Sequence, residues 1–293
     1  MTLPNLKLLE KIGDGGMASV WKAWDNVHRR MVAVKILDSS LSMSGSDVSQ
    51  FHDEEKFLEE IRHPGIVRAY SINRHNGIWY YVMEYVDGYT FAALLKRKQH
   101  VKESDCLLIC ESVAVALDYA WNDHGIVHCD LKPENIMINA EGVIKLLDLG
   151  ISHRFEFNDG PQNVPEQVLG TPAYISPEQV YGDVELDCRS DIYSLAATIY
   201  QLSTGRLLFP ELNNDDTMRA HCNELTQARD PRAYRPELSE GFCQLLESML
   251  VKNRECRVSS WRDVYEMCRE VESGVKFKKR DPMNAPSSIK LMT

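Results

Sequence analysis

The segment from Gly125 to Ile138, GIVHCDLKPENIMI, places an aspartate, a lysine and an asparagine within six positions. These residue types suit phosphoryl transfer, in which an enzyme mainly orients a hydroxyl group and neutralises phosphate charge. Asp130 can accept the hydroxyl proton, Lys132 can lie against the γ-phosphate, and Asn135 can give Mg²⁺ a neutral oxygen. Asp and Asn are also typical of a turn that follows a strand, so these residues alone leave both interpretations open.

Three further motifs favour the chemical interpretation. Asp148 comes thirteen residues after Asn135 and follows an apolar run, Val143 to Leu147, which is typical of a strand. This strand would deliver a second carboxylate, an expected Mg²⁺ ligand. Upstream, a glycine-rich turn spans Ile12 to Val20 (IGDGGMASV), and the β-type run Val32 to Lys35 ends in a lysine. The order glycine loop, lysine, catalytic loop and metal carboxylate is not expected by chance.

In this order the motifs resemble those of the Hanks-type (eukaryotic-like) serine/threonine protein kinases, and their wording is closest to the bacterial members. The resemblance runs from about Leu6 to Val271, nearly the whole chain. Three more segments carry it. VMEYVDG at 82–88 is similar to the hinge, GTPAYISPE at 170–178 to the end of the activation region, and DIYSL at 191–195 to the start of a buried C-lobe helix.

The resemblance implies an α+β, two-lobed protein-kinase fold, with an antiparallel sheet and one helix in the N-lobe (about 1–86) and mainly helices in the C-lobe (about 87–274). The residue pattern agrees with this expectation. Strands are predicted over Leu6 to Ile12, Ser19 to Trp24, Met31 to Leu37, Ile66 to Ile72 and Trp79 to Glu84, with a turn at Asn76-Gly77. Helices are predicted over 50–61, 104–123, 191–203, 240–250 and 260–272. A nucleotide is expected between the lobes.

The resemblance also implies which residues bind ATP and Mg²⁺ or Mn²⁺. Amides of the glycine loop would approach the phosphates, Lys35 would reach the α- and β-phosphates, and Glu54, rather than its neighbour Glu55, would hold Lys35. The metal ligands would be Asn135 and Asp148. The implied nucleotide-binding set is Ile12, Gly13, Gly15, Gly16, Val20, Ala33, Lys35, Met83, Glu84, Val86, Asp87, Asn135 and Asp148. The implied catalytic set is Asp130, Lys132, Asn135, Lys35 and Glu54.

Other residues are expected to support the site. Glu178 and Arg257 would form a buried ion pair, and Asp191 would bond the backbone of the catalytic loop. Thr171 would help to position the substrate by bonding the catalytic aspartate and lysine. Ala18 stands where the family usually has its third glycine, so an altered nucleotide affinity is expected.

One departure from the family pattern concerns regulation. Cys129 precedes Asp130 where most regulated kinases have an arginine, which pairs with a phosphorylated activation loop. The segment from His153 to Gly170 (HRFEFNDGPQNVPEQVLG) contains no Ser, Thr or Tyr. A kinase without the phosphate acceptor has no use for that arginine, so we hypothesise a non-RD kinase that does not require activation-loop phosphorylation. For Cys129 itself, a redox role is the alternative to plain packing.

Length and composition limit the other function classes. The 293 residues fit one two-lobed unit, and no apolar run reaches the ~18 residues of a membrane-spanning helix, so a cytoplasmic protein without a membrane segment is expected. A net charge of −10 argues against nonspecific nucleic-acid binding as the main activity, so no nucleic-acid partner is expected. The eight cysteines include no CxxC pair, which favours reduced, mostly buried thiols. Residues 275–293, with five basic residues and one acidic, are expected to form a flexible tail beyond a kinase domain at 1–274.

The substrate class follows from the resemblance as well. Lys132 and Thr171 together are similar to the Ser/Thr branch, so the expected partners are proteins with Ser or Thr acceptors (EC 2.7.11.1), phosphorylated by a monomer or weak dimer. Two alternatives remain. Small-molecule phosphotransferases share the two aspartates but lack the GTPAYISPE segment. An ATP-binding pseudokinase, acting as a signalling scaffold, usually loses its lysine, aspartate or asparagine, all of which are present here.

Overall fold

The computed structural model describes residues 2–14, 18–37, 61–149, 170–183, 186–210 and 212–274. The chain divides into two compact units, residues 1–88 with 139–145 and residues 89–138 with 146–293, which we call the sheet unit and the helical unit. The predicted α+β class, with an antiparallel sheet first and helices second, is confirmed. Among the described residues, no helix is both long and apolar enough to cross a bilayer.

Five antiparallel strands form the sheet in the described part of the sheet unit, in the order β1-β2-β3-β5-β4. They are β1 (Leu6–Asp14), β2 (Ala18–Asp25), β3 (Arg30–Leu37), β4 (Ala69–His75) and β5 (Ile78–Glu84). Residues two apart on a strand share a face, so the apolar positions of neighbouring strands can pack into one layer. The resulting core cluster contains Leu3, Ala23, Val32, Val34, Ile36, Tyr80 and Val82.

The turn between β4 and β5 fixes their pairing. Asn76 and Gly77 have φ angles of 50° and 83°, and two positive values in succession are typical of a type I′ hairpin turn. The predicted turn is confirmed. It pairs His75 with Ile78, so β4 ends three residues later than predicted. The helix predicted over 50–61 lies outside the described residues except for Ile61.

Seven α-helices are present in the described part of the helical unit. They are α1 (Phe91–Lys98), α2 (Glu103–His124), α3 (Pro177–Tyr181), α4 (Cys188–Thr204), α5 (Asn214–Cys222), α6 (Glu240–Met249) and α7 (Trp261–Glu272). The four helices predicted beyond the sheet unit are confirmed as α2, α4, α6 and α7. The helix α4 is buried along nearly its whole length and contacts α2, α6 and α7. Its polar side chains therefore need partners inside the unit.

A three-stranded sheet, in the order β6-β7-β8, includes the strand that follows residues 125–135. Its strands are β6 (Gly88–Thr90), β7 (Ile136–Asn139) and β8 (Ile144–Leu146). The strand β7 begins directly after Asn135, and β8 ends two residues before Asp148. Leu147 N–H donates to the carbonyl oxygen of Asn135 at 2.9 Å. The hairpin thus brings together the backbones that carry the two predicted metal ligands.

Candidate active site

The predicted catalytic loop, residues 125–135, is called the catalytic loop below and connects α2 to β7. It begins at Gly125, whose φ of 63° ends the helix in the left-handed conformation that glycine adopts easily. It ends in a 3₁₀ turn, Pro133–Asn135. Cys129 also has a positive φ, 64°, which costs a non-glycine residue about 1–2 kcal/mol. Surrounding contacts must therefore hold the loop in this conformation.

Asp191 on α4 provides part of that support. Its Oδ2 accepts a hydrogen bond from the backbone N–H of His128 at 2.6 Å, and its Oδ1 accepts one from Cys129 N–H at 2.8 Å. The carboxyl is buried, and burial raises the pKa of Asp191 to about 7, although both N–H groups favour the charged form. The predicted bonding of Asp191 to the loop backbone is confirmed.

Asp130, Lys132 and Thr171 form a closed triangle of side-chain contacts. Thr171 Oγ1 donates to Asp130 Oδ1 at 2.7 Å, and Lys132 Nζ donates to Thr171 Oγ1 at 2.7 Å. Lys132 Nζ also lies 2.6 Å from Asp130 Oδ2. Both carboxylate oxygens of Asp130 are thereby oriented by charged or hydroxyl partners. The structure brings together the carboxylate of Asp130 and the ammonium of Lys132, which the sequence analysis assigned to one site.

Asn135 presents its amide nitrogen to Asp130. Nδ2 donates to the carbonyl oxygen of Asp130 at 2.8 Å and to its Oδ2 at 3.2 Å. Because both bonds use the nitrogen, the amide oxygen is the atom that can contact a cation. Asp148 follows β8 with a φ of 49°. A carboxylate and an amide oxygen are hard donors of the kind that Mg²⁺ prefers, so the residue types at these two positions fit that ion.

His128 is a site residue that the sequence reasoning missed. Its ring is fully buried, its Nε2 donates to the carbonyl oxygen of Leu147 at 2.9 Å, and its Nδ1 accepts the N–H of Asp130 at 3.3 Å. Burial lowers the pKa of His128, and the neutral ring with its proton on Nε2 fits both bonds. The ring links the backbone of Asp130 to the residue before Asp148. The HxD spacing was the signal that could have identified it.

The thiol of Cys129 is buried and lies 3.7 Å from the carbonyl oxygen of Val127. Burial raises the pKa of this thiol, and the negative charges of Asp191 and Asp130 raise it further. A thiol that stays protonated is a poor nucleophile and a poor target for oxidation. Packing is therefore favoured over a redox role for Cys129.

The predicted ion pair between Glu178 and Arg257 is confirmed. Arg257 Nη1 lies 2.6 Å from Glu178 Oε1, and Nη2 lies 3.0 Å from Oε2. The side chains are only 0% and 4% exposed, and Ser190 Oγ donates to Oε1 at 2.7 Å. Burial alone would raise the pKa of Glu178, but the contacts with Arg257 and Ser190 hold it below its ordinary value. The pair anchors α3 in the helical unit.

In the sheet unit, strand register places several predicted nucleotide-binding residues on one face. Val20 on β2 lies opposite Lys35 on β3, and also opposite Gly13 on β1. Ala33, two residues before Lys35, lies opposite Met83 on β5. Residues two apart on a strand, and their directly opposed partners, share a face. The local pairing of hairpin strands therefore groups these five positions.

The remaining predicted residues of the sheet unit are less closely grouped. Glu84 ends β5, and its carboxylate pairs with Lys145 Nζ at 2.6 Å. Val86 is buried and Asp87 is exposed, while Ile12 on β1 is exposed as well. Gly15, Gly16 and Glu54 lie outside the described residues.

The chain is similar to known proteins. A family model described as "Protein kinase domain" matches residues 6–270. The probable serine/threonine-protein kinase PknB of Bifidobacterium longum is 32% identical over 264 residues, which cover 87% of this chain and 38% of that protein. The serine/threonine-protein kinase PknB of Mycobacterium tuberculosis is 31% identical over 289 residues, which cover 97% of this chain and 44% of that protein. The chain thus spans about two fifths of the length of these relatives.

The fold is also similar to solved structures. The crystal structure of the Mycobacterium tuberculosis PknI kinase domain matches with a TM-score of 0.71 and covers 92% of this chain and 97% of that chain, at 23% sequence identity. Another crystal structure of the same domain matches with a TM-score of 0.72 at the same identity. These matches show a shared fold.

Proposed function

Because the chain belongs to the Hanks-type serine/threonine protein kinases, we propose that it transfers the γ-phosphoryl group of ATP to Ser or Thr hydroxyls of protein substrates. The observation that carries this proposal is the triangle of Asp130, Lys132 and Thr171. It fixes a carboxylate beside an ammonium, and transfer to a hydroxyl depends mainly on such positioning and charge stabilisation.

Each member of the triangle has a distinct role in the proposed reaction. Asp130 takes the proton of the acceptor hydroxyl. The oxygen of that hydroxyl forms a bond to the γ-phosphorus, and the bond between the γ-phosphorus and the β–γ bridging oxygen breaks, so ADP leaves. Lys132 offsets the negative charge of the transferred group. Thr171 keeps the side chains of Asp130 and Lys132 in position, since its hydroxyl forms a hydrogen bond with each of them.

The chain has suitable groups for ATP and a divalent metal. Asn135 and Asp148 would hold Mg²⁺ or Mn²⁺ through their side-chain oxygens. The bound metal would neutralise charge on the β- and γ-phosphates. In the sheet unit, Lys35 would contact the α- and β-phosphates and Val20 would pack on the adenine, while backbone groups of Glu84 would bond the adenine edge.

The proposal includes activity without phosphorylation of the activation loop. Cys129 has a raised pKa, so the position before the proposed base carries no charge at neutral pH. Such a residue gives a phosphate nothing to pair with. The lack of Ser, Thr and Tyr from His153 to Gly170 supports the same conclusion. Mass spectrometry of the active protein would test this proposal. Stoichiometric phosphate on Ser152 or Thr171, together with a loss of activity when the phosphate is removed, would contradict it.

The decisive test is phosphorylation of a basic protein substrate by the purified chain with ATP and Mg²⁺. Asp130→Asn and Asp148→Asn are each expected to lower kcat at least ~10²-fold, since they remove the base and a metal ligand. Asp215→Asn, at an exposed aspartate in the first turn of α5, is the matched control and should keep the wild-type rate. A wild-type chain that binds ATP but turns over no faster than Asp130→Asn would favour the scaffold alternative.

The proposed kinase domain comprises residues 1–274, with the basic segment 275–293 outside it. The family match over residues 6–270 supports this boundary. We expect a monomer or weak dimer, and light scattering across a range of protein concentrations would check that expectation.

A further inference from the structure

A side-chain amide on α3 contacts the catalytic loop, and the mechanism above does not use it. Gln179 Nε2 donates a hydrogen bond to the backbone carbonyl oxygen of Cys129 at 2.7 Å. The Gln179 side chain is buried. Cys129 directly precedes the proposed base Asp130 and has the positive φ that needs outside support. The amide therefore acts on the residue whose conformation sets the position of Asp130.

The start of α3 fixes the orientation of this amide. Gln179 Oε1 accepts hydrogen bonds from Ser176 N–H at 3.1 Å and from Ser176 Oγ at 3.0 Å, within a capping box. Because the oxygen serves Ser176, the nitrogen faces Cys129. The same side chain thus caps a helix with its oxygen and binds the catalytic loop with its nitrogen.

Gly170 packs against the hydrogen bond between Gln179 and Cys129. A Cβ atom at Gly170 would lie 3.2 Å from the carbonyl oxygen of Cys129 and 3.4 Å from Gln179 Nε2. Gly170 has a φ of 117°, which favours glycine, and it precedes Thr171, which bonds Asp130. The catalytic loop, the 170–171 segment and α3 therefore meet at one buried hydrogen bond. The ion pair of Glu178, the neighbour of Gln179, anchors α3 in turn.

We propose that Gln179 is a positioning residue that keeps Asp130 in place through a neutral hydrogen bond. The inference rests on the proposed kinase activity and concerns its regulation. Asp191 holds the N–H of Cys129, and Gln179 holds its carbonyl oxygen, so the residue is fixed from both ends. A neutral amide needs no phosphate to make this contact, which agrees with the proposed activity without activation-loop phosphorylation.

Gln179→Glu tests the inference with a nearly isosteric change. The introduced carboxyl keeps an oxygen for Ser176, but it can donate to Cys129 only while protonated. The charged groups that act on the neighbouring thiol of Cys129 are Asp130 in the loop and Asp191 on α4. Glu178, the residue before Gln179, is paired with Arg257.

The readout is the ratio of variant to wild-type kcat across about pH 5.5 to 9. We expect a ratio near one at low pH and a fall on the order of 10²-fold as the introduced carboxyl ionises. The KM for ATP should change less than about twofold, because the variant alters positioning and not nucleotide contacts. Circular dichroism at each pH verifies that the variant remains folded.

Two control variants separate positioning from helix stability. Ser176→Ala removes the capping hydroxyl but keeps the backbone N–H of residue 176, which still bonds Gln179 Oε1 and orients the amide. A lower Tm with near wild-type kcat is therefore expected. Gln179→Met removes the donor at every pH, so its kcat ratio should be low and should not depend on pH.

Three results would overturn the inference. A folded Gln179→Glu variant with wild-type kcat at every pH would leave the kinase activity established but give Gln179 no positioning role. Equal losses of kcat in Ser176→Ala and Gln179→Glu would assign the effect to α3 as a whole. A wild-type chain no more active than Asp130→Asn would overturn the proposed function and this inference with it.

Discussion

The five-stranded sheet and the catalytic loop are held in place by different kinds of contact. In the sheet, three of the four strand pairs join neighbours along the chain, and backbone hydrogen bonds set the register. In the loop, support comes from side chains far away in sequence: Asp191 lies 62 residues from Cys129, and Thr171 lies 41 residues from Asp130. Each of these long-range contacts depends on one or two side-chain atoms.

This difference predicts unequal sensitivity to substitution. A strand keeps its backbone ladder when a surface side chain changes, so most such changes in the sheet should be mild. A buried polar group that loses its partner costs about 1–3 kcal/mol, and more when it is charged. The helical unit around the catalytic loop should therefore contain the substitutions with the largest effects.

The largest effect on stability is expected for Arg257→Ala. This change leaves the buried Glu178 carboxylate without its cation, and breaking a buried pair in this way costs about 3–5 kcal/mol in the free energy of unfolding. Urea unfolding followed by tryptophan fluorescence would measure the loss. Arg262→Ala is the matched control, because the pair of Arg262 with Glu266 is exposed on α7 and should contribute less than about 0.5 kcal/mol. Equal losses in the two variants would refute the predicted difference.

A smaller loss, about 1–3 kcal/mol near neutral pH, is expected for Asp191→Asn, because an amide can accept only one of the two backbone N–H bonds. The pH dependence adds a second measurement. The pKa of Asp191 is raised from 3.8 to about 7 in the folded state, so the folded protein holds this proton more tightly than the unfolded chain does. The contribution of Asp191 to the free energy of unfolding therefore decreases as the pH rises through this range. Asparagine does not titrate.

The stability difference between wild type and Asp191→Asn should therefore narrow from about pH 4 to 7 and stay constant above that. Urea titrations of both proteins at several pH values would measure it. A difference that widens as the pH rises would mean that the folded state favours the carboxylate instead.

The same contrast explains how much of the fold could be predicted from the sequence. The strands of the sheet unit, the Asn76-Gly77 turn and the four long helices follow from periodicity and turn chemistry, which are local properties. The helices α1, α3 and α5 were missed because five to nine residues give too few apolar repeats to recognise. For α3, the capping-box pattern from Ser176 to Gln179 was a usable signal.

The candidate site shows the same limit. Motif spacing pointed to Asp130, Lys132 and Asn135, and the structure brings their side chains together. Their roles in catalysis remain predictions. The contact between Gln179 and Cys129 could not be predicted, since it joins residues 50 positions apart and depends on which way one amide faces. The positive φ of Cys129 likewise results from tertiary contacts that override local preference.

A smaller effect than that of Asp191→Asn is expected for a polar contact within the sheet unit, the pair of Glu84 with Lys145. Their side chains are 26% and 13% exposed, so solvent screens this pair more than the buried pair of the helical unit. A double-mutant cycle of Glu84→Gln and Lys145→Met should give a coupling free energy of about 1 kcal/mol. That value would lie between the exposed pair on α7 and the buried pair that anchors α3.

The cycle also separates stability from nucleotide binding. The proposed contact of Glu84 with adenine uses backbone groups, so Glu84→Gln should change the KM for ATP less than about threefold. A coupling energy of 3 kcal/mol or more would mean that one side-chain pair contributes as much to stability in the sheet unit as in the helical unit. The proposed difference between the two regions would then be wrong. A coupling near zero would strengthen it, because backbone pairing alone would then account for the position of β5.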